Sequence, residues 1–231
     1  MKRLAIIPAR SGSKRILNKN IKYFCGKPMI HYILNTANES KLFNKIHVST
    51  ESSNVASVCE EIGITTDFLR PKELADDMTP IMPVLKYTLK KYLDMGEKFD
   101  EVWLLMACSP LVQSNDLIKA SKVFLRRENK SKSLIAVTEY PAPIEWAFES
   151  DKHNNLTPVQ PGAFLIRSQD IAPKFYDTGT FAIFPNDAIS GNEKETDKNF
   201  ISYTLPRSSS IDIDTLDDWN FAEIIYKGMN R

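Results

Sequence analysis

A chain of 231 residues can form one compact domain with a buried core, and its shares of hydrophobic (42%) and charged (26%) residues are those of an ordinary soluble globular protein. The formal net charge of +1 gives no reason to expect a nucleic-acid partner, and no apolar run approaches the ~20 residues that span a bilayer. Three scattered cysteines argue against a disulfide framework, and three dispersed histidines argue against a zinc-type cluster. From these features together we expect a cytoplasmic protein without a nucleic-acid or membrane partner.

The chain alternates between strand-like and helix-like segments. Short apolar runs predict buried strands at 3–8, 45–50, 64–69, 101–106, 133–138, 181–184 and 200–204. Apolar residues at helical spacing predict helices that start near Pro28, Ser52 and Pro80 or are capped by Ser114 and Thr215. This alternation predicts an α/β fold with a mainly parallel sheet flanked by helices. Ligands in such sheets bind beyond the C-terminal ends of the strands, where the loops at 9–20, 70–80 and 107–113 are unusually polar.

The regular pattern breaks between Tyr140 and Tyr176, where prolines stand at positions 141, 143, 158 and 161. Proline lacks a backbone donor and restricts the residue before it, so neither a long helix nor a central strand is expected there. We therefore predict one domain over residues 1–231 with an excursion from the sheet at 140–176. We assign this excursion the role of a dimerisation arm.

The loop after the first strand concentrates positive charge. From Met1 to Lys27 there are eight basic residues and no acidic one. A Gly/Ser turn at Ser11–Ser13 can expose successive backbone amides, and Arg10 and Lys14 can reach into the same space, as can Lys19. The spacing matches neither a Walker A loop nor a dinucleotide fingerprint. The composition of this loop indicates a binding pocket for a phosphorylated ligand. The alternative is a basic loop that is merely exposed to solvent and binds no ligand.

Residues 6–20, IIPARSGSKRILNKN, resemble the N-terminal motif IIPARGGSKxIxxKN of the CMP-sialic acid synthetases, with Ser11 in place of a glycine. That family of cytidylyltransferases has a Rossmann-like, GT-A-like α/β fold and activates acidic sugars with CTP. The resemblance implies that Arg10 and Lys19 stabilise the reacting phosphates. The CTP-binding residues that it implies are Arg10, Ser11, Gly12, Ser13, Lys14, Asn20, Arg70 and Thr79.

The segment Arg70–Asp77, RPKELADD, resembles a second motif of the family, a loop near the cytosine and ribose. The resemblance implies that Arg70 contacts the nucleotide and that Thr79 offers its hydroxyl to the base. A plain turn at Arg70-Pro71, followed by Asp76 and Asp77 as a cap, is the structural alternative.

Two departures from the family pattern bear on the sugar. Residues 103–112, WLLMACSPLV, stand in the place of LLQPTSPLR, so Met106 replaces a sugar-contacting glutamine and cannot make its hydrogen bond. Residues 177–181, DTGTF, and residues 139–147, EYPAPIEWA, are closer to the pseudaminic acid branch than to the sialic and legionaminic acid enzymes. The resemblance therefore favours pseudaminic acid and leaves legionaminic, N-acetylneuraminic and 3-deoxy-octulosonic acids as alternatives.

A short segment within the excursion, RSQD at 167–170, resembles the family's Arg-x-Gln-Asp segment, which faces the acidic sugar. A sugar carboxylate suits a planar guanidinium, so Arg167 is the strongest candidate for binding it. The resemblance implies that Gln169 and Asp170 complete the sugar-binding set, and the family likeness favours a homodimer.

Near the C-terminus, IDIDT at 211–215 places Asp212 and Asp214 two residues apart. In extended chain this puts both carboxylates on one face, a spacing that suits one hard cation, whereas a polar helix entry is the alternative. The resemblance implies that the pair binds Mg²⁺ or Mn²⁺ and that Asp212 is catalytic. The pair speaks against a non-catalytic nucleotide-binding regulator, and the confinement of basic residues to one loop speaks against an RNA-binding protein.

Overall fold

The computed structural model describes residues 1–128, 130–191 and 200–229. Its strands are β1 (Arg3–Pro8), β2 (Tyr23–Phe24), β3 (Lys27–Pro28), β4 (Lys45–Ser49), β5 (Glu101–Leu105), β6 (Ser133–Glu139), β7 (Phe148–Ser150), β8 (Leu156–Pro158), β9 (Phe175–Pro185) and β10 (Phe200–Thr204). Its α-helices are α1 (Met29–Ser40), α2 (Ser53–Glu61), α3 (Ile81–Asp94), α4 (Ser114–Arg126), α5 (Asn186–Ser190) and α6 (Leu216–Met229).

These elements form a six-stranded sheet in the order β10-β6-β9-β5-β1-β4. The pairs β1–β4, β1–β5 and β6–β10 are parallel, and β9 runs antiparallel to both of its neighbours. The predicted α/β fold with a mainly parallel sheet is therefore confirmed. Because the parallel strands point one way, the loops after β1, β4 and β5 meet at one edge of the sheet.

The central strand β1 is covered on both faces, which explains its almost unbroken apolar sequence. Ala5 and Ile7 belong to the core cluster that includes apolar residues of α1, α2 and α4. Leu4 and Ile6 pack on the opposite face with Leu85 of α3. Burying each such large aliphatic side chain contributes about 1.5–3 kcal/mol, so β1 holds the two layers together.

The prediction of a strand at 64–69 is wrong, since these residues are described and carry no strand. Ile64 packs against the core on one face of the sheet, whereas Phe68 packs against the core on the other face. The apolar residues therefore serve both layers as the chain passes the edge strand β4. Phe68 stacks on His47 of β4, and just beyond this strand the Arg70 amide donates to the carbonyl of Thr50 at 2.8 Å.

The helix termini follow local hydrogen bonding, with one correction. Thr215 caps α6 as predicted, because its hydroxyl accepts from the Asp218 amide at 3.2 Å and its own amide donates to the Asp218 carboxylate at 2.7 Å. The N-cap of α4 is Gln113 and not Ser114. The Gln113 amide donates to Asp116 at 3.0 Å, which moves the start of this helix by one residue.

Residues 140–174 leave the sheet between β6 and β9. The segment contains the β7–β8 hairpin and closes where the Tyr140 amide donates to the Lys174 carbonyl at 3.0 Å. Stacking of Phe164 on Trp146 and Phe148 holds its interior together. None of the helices in the described ranges combines the length and apolarity that a bilayer crossing requires.

Candidate active site

A cavity of about 650 Å³ lies at the C-terminal edge of the sheet. Its walls come from the loop after β1, the segment 70–84, the end of β5 and the segment before α6. The predicted site residues that line it are Arg10, Ser13, Lys14, Lys19, Asn20, Arg70, Thr79, Asp212 and Asp214. The fold thus brings together side chains that are up to about 200 positions apart in the chain.

The loop after β1 is held in place by a buried amide. Asn20 Nδ2 donates to the Arg10 carbonyl at 2.8 Å, and its Oδ1 accepts a hydrogen bond from the Cys108 thiol at 3.3 Å. Burial raises the pKa of Cys108 to about 12, with Asp212 and Asp214 adding to the shift against the opposing charge of Lys19. The thiol therefore remains protonated and can donate to Asn20.

The Gly/Ser turn is only partly open to a ligand. Ser11 does not line the cavity; its amide and hydroxyl both donate to Glu51 Oε1, at 2.8 and 2.6 Å. The Ser13 amide donates to the Ser11 carbonyl at 2.9 Å, and Gly12 also lies outside the cavity lining. In this conformation the anion-binding groups near the turn are cationic side chains and not a row of exposed backbone amides.

Two cations of the loop share one carboxylate. Arg10 Nη1 donates to Asp77 Oδ1 at 2.5 Å, and the Lys14 ammonium pairs with Oδ2 of the same residue. The Lys14 and Arg10 partners hold the pKa of Asp77 below its usual range, so the carboxylate is ionised at neutral pH. Asp77 belongs to the RPKELADD segment, where sequence reasoning assigned it only a capping role.

Arg70 is a nearly buried cation at the floor of the cavity, with 5% of its surface exposed. Its Nη2 pairs with Glu51 Oε2 at 3.4 Å, while its Nε is buried without a hydrogen-bond partner. Burial raises the pKa of Glu51, but hydrogen bonds from Ser11 and the charge of Arg70 outweigh this and leave it lowered. Glu51 was missed in the sequence, although it follows β4 at the ligand-binding edge.

Thr79 lines the cavity and is held in a turn by hydrogen bonds. Its amide donates to Asp76 Oδ1 at 2.6 Å, and its hydroxyl donates to the Glu73 carbonyl at 3.2 Å. The Met78 amide also donates to Asp76 Oδ1, at 2.9 Å. Asp76 therefore builds the turn before α3 and positions Thr79 beside the cavity.

The two C-terminal aspartates face the cavity on either side of the fully buried Ile213. Asp214 is paired through both oxygens, with Lys19 at 3.2 Å and Arg15 at 2.9 Å. Asp212 makes no hydrogen bond or ion pair with any residue that the structure describes. Burial and the neighbouring Asp214 raise the pKa of Asp212. The segment carries no strand, and both aspartates line the same cavity.

A hard cation fits this arrangement. Within the described ranges no group of three or more histidine, cysteine, aspartate or glutamate side chains forms a closed metal cage. Mg²⁺ is commonly held by one or two carboxylates together with water and substrate phosphates, so a closed cage is not required. Asp212, which has no hydrogen bond or ion pair among the described residues, supplies a free oxygen ligand, and Asp214 lies beside it.

A bulge in β9 brings Gly179 to the same cavity. The β6–β9 register shifts between Ile135 and Val137, and Gly179 there has a φ of +61°, a conformation that favours glycine. A Cβ at Gly179 would lie 3.7 Å from Asp212 Oδ2. Thr178 and Thr180 are buried and hydrogen-bonded to each other at 2.7 Å, so the DTGTF segment offers backbone, not hydroxyls, to the cavity.

The predicted sugar-binding residues are not brought into this cavity. Arg167, Gln169 and Asp170 lie in the segment 140–174 and do not line it. Arg167 Nε pairs with Asp170 Oδ2 at 2.8 Å in an exposed position. Met106, in contrast, lines the cavity at the end of β5.

Comparison with known proteins places this geometry in context. The profile of the cytidylyltransferase family matches residues 4–158. Over 227 residues the chain is 34% identical to a pseudaminic acid cytidylyltransferase of Campylobacter jejuni, which covers 98% of this chain and 97% of that protein. It is 31% identical over 232 residues to a CMP-N,N'-diacetyllegionaminic acid synthase of Legionella pneumophila, covering 96% and 95% of the two chains.

The fold also has a solved counterpart. The structure of a CMP:2-keto-3-deoxy-manno-octonic acid synthetase complexed with CTP superposes with a TM-score of 0.73. The alignment covers 99% of this chain and 100% of that chain at 14% sequence identity, so the likeness concerns the fold.

Proposed function

The chain belongs to the cytidylyltransferase family, and from that membership we propose that this enzyme transfers CMP from CTP to the anomeric hydroxyl of a nine-carbon 2-keto acid sugar and releases pyrophosphate. Pseudaminic acid is the sugar that we propose first, because a full-length relative carries that name at higher identity than the legionaminic acid relative. The observation that carries the proposal is a single cavity in which cationic side chains face the unpartnered Asp212.

In the proposed reaction the cations of the cavity bind the triphosphate. Arg10 and Lys14 converge on one carboxylate oxygen pair, a geometry that suits phosphate oxygens equally well. Lys19 lies beside Asp214 and next to the proposed metal site, where charge develops on the α-phosphate during attack. Arg70 and Thr79 line the same cavity and bind the nucleoside end of CTP.

Mg²⁺ or Mn²⁺ is the proposed cofactor, with Asp212 and Asp214 as its protein ligands. When bound, such a cation neutralises phosphate oxygens and the charge of the departing pyrophosphate. Asp212 is available as a ligand because no described residue pairs with it, whereas Asp214 must exchange contacts with Lys19 and Arg15. Gly179 leaves space beside Asp212 for ligand atoms.

For the sugar we propose that Arg167 binds the carboxylate and that Gln169 and Asp170 bind its polar groups. These side chains lie outside the cavity of their own chain, and the segment that carries them has an exposed apolar surface. We therefore propose a homodimer that forms through this surface. Its most exposed members are Leu165, Leu156 and Val159. Since CTP is a cytoplasmic nucleotide, we propose a cytoplasmic location.

The experiment that tests the proposed function is incubation with CTP, Mg²⁺ and separate acidic 2-keto sugars. Pseudaminic, legionaminic, N-acetylneuraminic and 3-deoxy-octulosonic acids form the panel, and pyrophosphate release and product mass are followed together. We expect the highest kcat/KM with pseudaminic acid. A CMP-sugar formed only from another member would contradict the choice of sugar. No CMP-sugar from any member would favour a non-catalytic nucleotide-binding regulator.

A further inference from the structure

The phosphate-binding cations of the cavity are already held by a carboxylate of the same chain. Asp77 engages Arg10 through Oδ1 and Lys14 through Oδ2, so both of its oxygens are occupied. These two cations come from the loop after β1, whereas Asp77 comes from the turn before α3. An anion that binds Arg10 and Lys14 therefore competes with Asp77 for these two cations.

The turn that carries Asp77 does not depend on these ion pairs. Asp76 holds the turn through the Met78 and Thr79 amides, at 2.9 and 2.6 Å, and the Thr79 hydroxyl donates to Glu73. The hydrogen bonds of Asp77 go to cations alone. About a third of the Asp77 side chain is exposed (34%), and the following Met78 is largely exposed, so the carboxylate can swing into solvent.

We propose that Asp77 is a displaceable counterion that lowers the affinity of the cavity for phosphate anions, and above all for the pyrophosphate product. This inference rests on the proposed function. A carboxylate bears one negative charge and a nucleoside triphosphate bears several, so the substrate outcompetes Asp77 at the same cations. After the transfer, the return of Asp77 to Arg10 and Lys14 opposes rebinding of pyrophosphate and favours its release.

The test compares two neighbouring aspartates of the same turn. Asp77→Asn removes the charge that faces the cations. Asp76→Asn removes an equal charge one residue earlier in the same loop, and its amide oxygen still accepts from the Met78 and Thr79 amides. Binding of inorganic pyrophosphate is measured by calorimetry without divalent metal, and folding of each variant is checked by circular dichroism. Asp77→Ser, which also lacks the charge, provides a second variant.

We expect Asp77→Asn and Asp77→Ser to bind pyrophosphate roughly five-fold or more tightly than the wild type, since exposed ion pairs are individually weak but two are lost. This gain in pyrophosphate affinity should shrink as salt is raised from 0.05 to about 0.5 M, because screening weakens the ion pairs of Asp77 that compete with pyrophosphate in the wild type. Asp76→Asn should stay within about two-fold of the wild type. In turnover assays, pyrophosphate should inhibit Asp77→Asn at correspondingly lower concentration.

The outcomes separate this inference from the proposed function. Wild-type protein that binds CTP and pyrophosphate, together with an Asp77→Asn variant that gains no affinity, would overturn the inference alone. An equal gain in Asp76→Asn would overturn it too, because the effect would then be general charge and not competition at Arg10 and Lys14. Wild-type protein that binds neither CTP nor pyrophosphate would contradict both.

Discussion

The thiol of Cys108 donates a hydrogen bond to Oδ1 of Asn20 at 3.3 Å, and this contact joins the loop after β5 to the loop after β1. Through its Nδ2, Asn20 in turn holds the carbonyl of Arg10 at 2.8 Å. A side chain in the loop after one strand thereby holds the loop that follows the neighbouring strand. We infer that Cys108 positions the cationic loop and takes no part in chemistry.

Replacing Cys108 tests this positioning role. Cys108→Ser keeps a donor of similar size, whereas Cys108→Val fills the space without one. We expect the valine variant to raise the KM for CTP several-fold through a misplaced Arg10, and the serine variant to remain within about two-fold of the wild type. The measurement is steady-state kinetics with varied CTP. Equal KM values for both variants, with both folded, would show that the thiol is only a packing group.

A buried histidine makes the stability of the fold depend on pH. His47 is 1% exposed, stacks on Phe68 and shares a hydrogen bond of 3.0 Å with Tyr92, whose hydroxyl donates to Asp67. Its Nε2 is buried without a partner. Burial lowers the pKa of His47 to about 4, and the nearby charge of Asp67 only partly opposes this shift.

Because the folded pKa lies below the unfolded value of 6.5, the unfolded chain takes up the proton first as pH falls. We expect the free energy of unfolding to drop on the order of 3 kcal/mol between pH 6.5 and 4, and this contribution to be complete above pH 6.5. Urea unfolding at several pH values measures it. His47→Gln, which does not titrate, should have a shallower slope in that window, and an identical slope would refute the assignment.

The pairing of Glu51 with Arg70 predicts a cost for removing the acid. Glu51→Ala leaves the nearly buried guanidinium without a counter-charge and the Ser11 amide without its acceptor. We expect a loss of about 3 kcal/mol of stability, the low end for a buried pair since the contact is 3.4 Å long. Glu51→Gln retains an acceptor and should lose less. Urea unfolding midpoints of the two variants, measured at neutral pH, test both expectations.

The proposed dimer can be tested on an exposed leucine. Leu165 is 90% exposed in the segment 140–174, so Leu165→Glu should leave the folded chain intact. We expect light scattering to report a dimeric mass for the wild type and a monomeric mass for the variant, because a buried charge opposes an apolar interface. Leu93→Glu, on the exposed side of α3, is the matched control and should remain dimeric. A monomeric wild type would remove the proposed role of this surface.

Local patterns were predictable where one short segment determines its own structure. The four apolar residues from Leu4 to Ile7 indicate a strand covered on both faces, and Thr215 with Asp218 indicates a helix start; both are confirmed. The prediction of a strand at 64–69 was wrong because the apolar residues of this segment pack into two different cores. That division depends on the position of the sheet edge, which the local sequence does not reveal.

Within the site, the residues lining the cavity could be proposed from motifs, but not their partners. Asp77 meets Arg10 across 67 positions of sequence, and Glu51 meets Ser11 across 40, so no local spacing reveals either pair. The position of Arg167 outside the cavity also depends on how the segment 140–174 leaves the sheet. Long-range contacts of this kind follow from the fold and not from periodicity.

The central claim concerns Asp212, the unpartnered carboxylate of the cavity, and CMP-sugar formation tests it most directly. The measurement is product mass from CTP, Mg²⁺ and pseudaminic acid for the wild type, Asp212→Asn and the exposed control Asp217→Asn. We predict a CMP-sugar from the wild type and from Asp217→Asn, and turnover lower by about 100-fold or more in Asp212→Asn. No loss of stability is expected, since a neutral amide replaces a carboxylate whose pKa is raised by desolvation and by Asp214. Undiminished turnover by Asp212→Asn, or no CMP-sugar from the wild type, would contradict the account.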